Sequence, residues 1–149
     1  MTDVPNATLL KFGYPHSVVA ETPFWTIQVR PQQPTLGSLV LVCREPVTAF
    51  GQVSPAAFAA LQPVVTRLEA VLRRFVDYQK INYLMLMMVD PDVHFHVIPR
   101  YQGERDFQGT VFTDAGWPGP PNLGAAVPLD AAAMAEMTAL LKRLWDEVA

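Results

Sequence analysis

Asp92-Val93-His94-Phe95-His96-Val97-Ile98-Pro99-Arg100 is the stretch that decides how this sequence is read. Polar and apolar residues alternate in it with a period of two, the period of a β-strand whose side chains point to opposite faces in turn. That spacing predicts Asp92, His94 and His96 on one face, and Val93, Phe95 and Val97 on the other. Two of the chain's three histidines lie here. A carboxylate and two imidazoles in file are costly to desolvate unless they are paired or used. The stretch therefore predicts a reactive or metal-binding surface laid over a packed sheet.

Outward from it, Asn82 to Val89 is an apolar run. With Asp90-Pro91 as a short turn, it predicts an antiparallel hairpin with the histidine strand. Met85, Met87 and Met88 in this run read as core filling. Further upstream, Ser54-Pro55 opens a helix, with serine as N-cap and proline at the first helical position. Phe58, Leu61, Val65, Leu68, Leu72 and Phe75 then recur at steps of three and four, as one apolar stripe. Pro63 inside this helix removes a hydrogen bond and predicts a kink. Phe24 to Val29 and Ser38 to Cys43 read as two more strands, the second central, with Pro31 to Gly37 as the turn region between them. The segment before Pro23 carries turn signals at Gly13 and Pro15. From Tyr101 to Leu129 the pattern is irregular, with Gly116-Trp117-Pro118-Gly119-Pro120-Pro121 in the middle. Asp130 caps a last helix with Met134, Met137, Leu141, Leu144 and Val148 on one side. The class expected is α+β: an antiparallel sheet with one long helix packed on it and a C-terminal helix.

Composition narrows the function. The chain has 149 residues, 50% hydrophobic and 17% charged, which predicts one globular domain over residues 1–149. A core at about 24–100 would be followed by an extension at about 101–149. The net charge of −3 supplies no basic field for a phosphate backbone, so nucleic acid is not an expected partner. No apolar run approaches the roughly 20 residues of a membrane helix, and the first residues lack a secretory pattern, so a cytoplasmic location is expected. The single cysteine, Cys43, rules out an internal disulfide and a cysteine-rich zinc site, and reads as a small core residue.

At Gly37-Ser38-Leu39-Val40-Leu41-Val42 and His94-Phe95-His96-Val97-Ile98-Pro99-Arg100 the chain resembles the histidine triad (HIT) superfamily. The likeness runs from about Phe24 to Arg100. The string from Asn82 to Pro91 is similar to a bacterial HIT-like, diadenosine-tetraphosphate-hydrolase-like subgroup. Asp92 stands where the family has its first histidine, and Ser38 where many members have a histidine after the glycine. The family's Gly- and Gln-rich phosphate loop is replaced by Val89-Asp90-Pro91.

The resemblance implies a nucleotide hydrolase or transferase acting at the α-phosphorus of a dinucleoside polyphosphate or phosphoramidate. His94 would be the nucleophile and would form a nucleotidyl-histidine. Imidazole suits that role: it is largely neutral near pH 7, nucleophilic, and a good leaving group once phosphorylated. Asp92, or a backbone carbonyl as is common in the family, would fix the His94 tautomer. His96 would bind phosphate oxygens or protonate the leaving group. No metal or other cofactor is required by this chemistry.

Arg100 reads either as a bidentate phosphate ligand or as a solvated side chain. Trp25 and Ile27 stand where the family lines its base pocket, and equally fit a plain core. Arg30 stands near a ribose-binding Asn or Asp of relatives, and cannot accept a hydrogen bond as they do. Trp117 reads as a cover for the site, an interface anchor, or a residue docked on its own core. His16 reads as a loop residue. The resemblance also implies a homodimer, paired through the helix and adjoining sheet. Two other readings stand beside the enzyme. One is a nucleotide binder without turnover; the other is a metal site built from Asp92, His94 and His96. Ligands spaced about 7 Å apart in succession on one straight strand converge poorly on a single ion.

Overall fold

The computed structural model describes residues 5–149. Its elements are α1 (Ala7–Lys11), β1 (Val18–Glu21), β2 (Trp25–Val29), β3 (Gln32–Gln33), β4 (Leu39–Cys43), α2 (Pro55–Val76), β5 (Lys80–Leu84), β6 (His94–Arg100), β7 (Glu104–Phe107), β8 (Thr110–Thr113), β9 (Val127–Pro128) and α3 (Ala131–Glu147). Five of the strands form one antiparallel sheet in the order β1-β2-β4-β6-β5. The α+β class is as the sequence predicts, with β4 central and β5 paired to β6 as a hairpin.

The pleat divides the side chains cleanly. Trp25, Ile27, Leu39, Leu41, Cys43 and Val97 join the buried cluster built with α2 and α3. Val40 and Val42 face the other way and pack with Leu9 and Phe12 at α1. Register carries this split onto β6, where Val40 pairs with His96 and Val42 with His94. Both histidines therefore lie on the α1 side of the sheet. Cys43 is fully buried in the larger cluster, and burial pushes its thiol up from its ordinary value.

α2 begins as the sequence predicts, with Ser54 accepting a hydrogen bond from the Ala57 amide and Pro55 at the first position. It runs unbroken through Pro63, so the proline does not end the element. Its buried face differs from the expected stripe. Ala57, Val64, Leu68, Val71, Leu72 and Val76 are buried, while Phe58 is 41% exposed. The helix is rotated so that Ala57 meets the sheet, where its carbonyl accepts from Trp25 Nε1 at 2.9 Å. Phe58, Leu61 and Val65 are left on the flank.

Three expectations fail for identifiable reasons. The strand expected at Asn82 to Val89 stops at Leu84; Met87 adopts a left-handed φ of 53°, and Met88 and Val89 are more than 80% exposed. A nine-residue loop thus replaces the tight turn at Asp90-Pro91, and Met88 is not core. The turn-rich start contains α1 and β1. The irregular segment contains the hairpin β7–β8, turned at Gln108-Gly109 with φ of 52° and 81°, and β9, which pairs with β3. A two-residue turn with both φ positive matches the twist of a hairpin.

Gly37 opens β4 at φ 91°, and a Cβ there would come within 3.3–3.4 Å of Phe75, Leu72 and Pro99. Backbone and packing both ask for glycine at this point. Among the described residues, no helix is long and apolar enough to cross a membrane.

Candidate functional site

The two histidines open into a cleft of about 400 Å³ lined by Lys11 and Phe12 of the α1 end, by Arg30, Pro31 and Gln32 after β2, and by Leu86, Met88, Val89 and Asp90 of the loop before β6. His94 is 2% exposed, and its Nδ1 lies 2.7 Å from the carbonyl oxygen of Asp92. A carbonyl only accepts, so Nδ1 carries the proton and Nε2 keeps its lone pair. This is the state a nucleophile needs. The His94 and His96 rings are 5.2 Å apart and nearly perpendicular, and Phe12 packs edge-on against His96 at 6.1 Å.

His96 is 8% exposed, and its Nδ1 is buried without a hydrogen-bond partner. Burial, then the nearby Arg30 and His94, pushes its pKa from the ordinary 6.5 down to about 4. It is therefore neutral at pH 7. The sign of the consequence is fixed by linkage. Between about pH 6.5 and 4 the unfolded chain takes up a proton at this position that the folded chain refuses. Stability contributed above 6.5 is lost progressively as pH falls through this window. His96→Gln is expected to flatten the acid limb of a plot of Tm against pH between 6.5 and 4. An unchanged slope in calorimetry would contradict the burial argument.

Asp92 lies just ahead of β6 and does not present its carboxylate to the cleft. Its Oδ2 accepts from the Thr8 amide at 3.1 Å and the Thr8 hydroxyl at 2.9 Å, and its own amide donates to the Thr8 oxygen at 3.2 Å. The tautomer of His94 is thus set by the Asp92 backbone, while the Asp92 side chain anchors α1. Asp92 thus shares the α1 side of the sheet with His94 and His96, as the alternation predicts, but its carboxylate is taken by α1 and does not line the cleft. This dismantles the Asp92-His94-His96 donor set: among the described residues, no group of three or more His, Cys, Asp or Glu is arranged to hold a metal ion.

The other sequence candidates separate sharply. Arg30 lines the cleft. Arg100 does not: it is 4% exposed, with Nε and Nη2 paired to Asp114 at 2.6 and 3.1 Å, Nη1 to Asn82 at 2.7 Å, and Nη2 also to the Gly119 carbonyl at 2.8 Å. Every nitrogen of that guanidinium is already engaged, so it is neither a phosphate ligand nor solvated. Ser38 is fully buried, donating to the Thr35 carbonyl at 2.8 Å. Trp25 and Ile27 are fully buried on the α2 side of the sheet, the opposite face from the histidines. They take the core alternative, because the strand's pleat sends odd positions of β2 toward α2. Trp117 borders a groove along β5 with Pro118 and Pro120, outside the histidine cleft. His16 is exposed and outside it as well.

Sequence reasoning missed Lys11, Phe12, Leu86, Met88 and Val89 as cleft residues. Asn6 is the one early signal: it caps α1 by accepting from the Leu9 amide at 2.9 Å. An Asn followed by Leu9-Leu10 is a legible helix start. Lys11 Nζ and Asp90 Oδ1 form a 2.8 Å ion pair that joins α1 to the loop before β6, both lining the cleft.

No protein-family model matches the sequence. No curated protein matches it. Solved structures do match. A histidine triad protein from Bradyrhizobium japonicum aligns with a TM-score of 0.71 at 23% identity, covering 94% of this chain and 96% of that one. A histidine triad protein from Sinorhizobium meliloti aligns with a TM-score of 0.71 at 21% identity, covering 94% and 95%. The diadenosine triphosphate hydrolase of Plasmodium falciparum aligns with a TM-score of 0.63 at 12% identity, covering 89% and 78%. The chain has the fold of these histidine triad proteins.

Proposed function

We propose that this chain is a histidine-triad-type enzyme that hydrolyses or transfers at the α-phosphorus of a nucleoside phosphate derivative, with His94 as nucleophile. The observation that carries this reading is the bond from His94 Nδ1 to the Asp92 carbonyl, which leaves Nε2 free to attack. In the step, Nε2 bonds to phosphorus and the bond from phosphorus to the leaving group breaks. The electron pair departs with the leaving group, which takes a proton from solvent. Water then attacks phosphorus and gives up a proton to solvent, the bond from phosphorus to Nε2 breaks, and His94 is restored. His96, uncharged at pH 7, lies beside His94 to donate a hydrogen bond from its ring N–H to a phosphate oxygen. Phe12, Leu86, Met88 and Val89 give the cleft apolar walls suited to a base. Asp92 acts as a positioning residue through Thr8.

Likeness to a diadenosine triphosphate hydrolase supports a nucleotide substrate class. The test is release of AMP from adenosine phosphoramidate and diadenosine polyphosphates in the presence of chelator. Chelator-resistant turnover supports the enzyme. AMP binding without turnover moves the reading to a nucleotide binder, which the turning away of the Asp92 carboxylate would then explain.

A homodimer belongs to the same reading. Phe50 and Phe58 are 47% and 41% exposed and stack edge-on at 5.4 Å. Beside them an apolar hollow is lined by Leu41, Leu61, Val65, Tyr83 and Phe95, next to the edge strand β5. An exposed apolar patch on a helix flank beside an open edge strand suits a second copy of the chain. Val65→Asp is expected to convert a dimer into a monomer in light scattering. A monomeric parent would overturn the dimer.

A further inference from the structure

The guanidinium of Arg30 differs from the other cleft cation in having no counter-charge. Lys11 is paired with Asp90. Elsewhere in the fold, Arg44 is paired with Glu21 and Arg100 with Asp114. Arg30, among the described residues, forms no ion pair. Its Nη1 donates to the Gln32 carbonyl at 3.1 Å, and its Nε is buried with no acceptor. Burial acts on Arg30 unopposed, lowering its pKa. A partly buried guanidinium left without an anion is costly, and its planar fork matches a carboxylate or phosphate. With Lys11, Arg30 and Asp90 as the charged lining and His96 neutral, the cleft carries a net positive charge.

Its place along the sheet matters as much as its charge. Thr26, Val42 and His94 share one level across β2, β4 and β6, and Gln28, Val40 and His96 share the next. Arg30 lies one step further, where its amide donates to the Ser38 carbonyl. With strands about 4.8 Å apart and a rise of about 3.3 Å per residue, its Cα lies about 16 Å from that of His94 and about 12 Å from that of His96. Arg30 and the nucleophile thus enter the cleft from different strands and different levels of the sheet, and the Arg30 charge reaches His96.

We infer that Arg30 is a specificity-determining residue that binds a second anionic group, a phosphate or carboxylate carried by the nucleotide at a position other than the reacting phosphorus. The inference rests on the proposed reading of the cleft as a nucleotide site. It differs from that reading in naming a substrate with two separate anionic ends. The Arg30 guanidinium would bond that group through its Nη atoms.

Titration calorimetry on the full chain tests this with AMP, adenosine 2′,5′-bisphosphate, adenosine 3′,5′-bisphosphate and 2′-O-succinyl-AMP. The last probe separates carboxylate from phosphate. At least one doubly anionic probe is expected to bind at least about tenfold more tightly than AMP, as the loss of one charge-assisted contact implies. In Arg30→Gln that preference is expected to fall below about threefold. Equal binding of all four probes by the parent overturns the inference, as does a preference that survives Arg30→Gln. If Arg30→Gln fails to fold, Arg30→Lys takes its place, and a preference undiminished by it also overturns the inference. The nucleophile is judged separately, by trapping of label on His94. A chain that prefers doubly anionic probes but never labels keeps this inference and loses the enzyme.

Discussion

His94→Ala is expected to abolish phosphorus transfer, lowering kcat by about 10⁴-fold or more, as removal of a nucleophile does in enzymes with covalent intermediates. The expectation follows from geometry rather than from the presence of a histidine. The Asp92 carbonyl, 2.7 Å from Nδ1, holds the proton on the inner nitrogen and leaves the Nε2 lone pair free. The variant is also expected to keep its fold, because the main role assigned to the ring faces the cleft and the sheet pairing of His94 with Val42 is through backbone. Rapid-quench trapping with labelled adenosine phosphoramidate reads the effect. Label on the parent and none on His94→Ala supports the nucleophile. Equal turnover by both would remove His94 from the chemistry.

The second large effect is on stability and concerns a residue outside the cleft. Arg100→Ala is expected to cost about 3–5 kcal/mol, the usual loss when one partner of a buried ion pair is removed. The side chains of Arg100 and Asp114 are 4% and 1% exposed. Truncation leaves the Asp114 carboxylate buried without its cation, and strips the Asn82 oxygen and the Gly119 carbonyl of their donor. For a chain of this length, roughly 2–4 °C of Tm accompanies each kcal/mol, so the loss corresponds to a fall of about 6–20 °C. Scanning calorimetry measures it. A fall of under 2 °C, within about 1 kcal/mol on the same scale, would mean that Arg100 does not hold the segment after β6 to the sheet.

The two residues illustrate what could be read along the chain. His94 and His96 were legible because a two-residue period is a local property: the backbone itself puts alternate side chains on one face. Ser54-Pro55 and Asp130 were legible for the same reason, since a cap acts within three residues. The α2 stripe was read only in part. Periodicity finds an apolar face, but the Trp25 bond to the Ala57 carbonyl sets the rotation of the helix against the sheet, leaving Phe58 half out. The loop before β6 was misread because apolar Met85 to Val89 looks like a strand until a partner strand is required. β6 pairs with β5 as far as Leu84 opposite His96, and beyond that the residues turn to wall the cleft.

By itself, then, the sequence determined the class of the fold, the central strand, both long helices and the face that carries His94 and His96, because each depends on contacts within a few residues or on strand alternation. The tertiary structure decided the roles. Thr8 takes the Asp92 carboxylate from 84 positions away in the chain, so Asp92 anchors a helix. Asp114 takes Arg100, so that cation is spent on the fold. Arg30 finds no carboxylate and is left facing the cleft. A charged side chain acts according to which opposite charge or acceptor the folded chain brings within about 3 Å of it, and that pairing is settled by long-range contacts that no local pattern encodes.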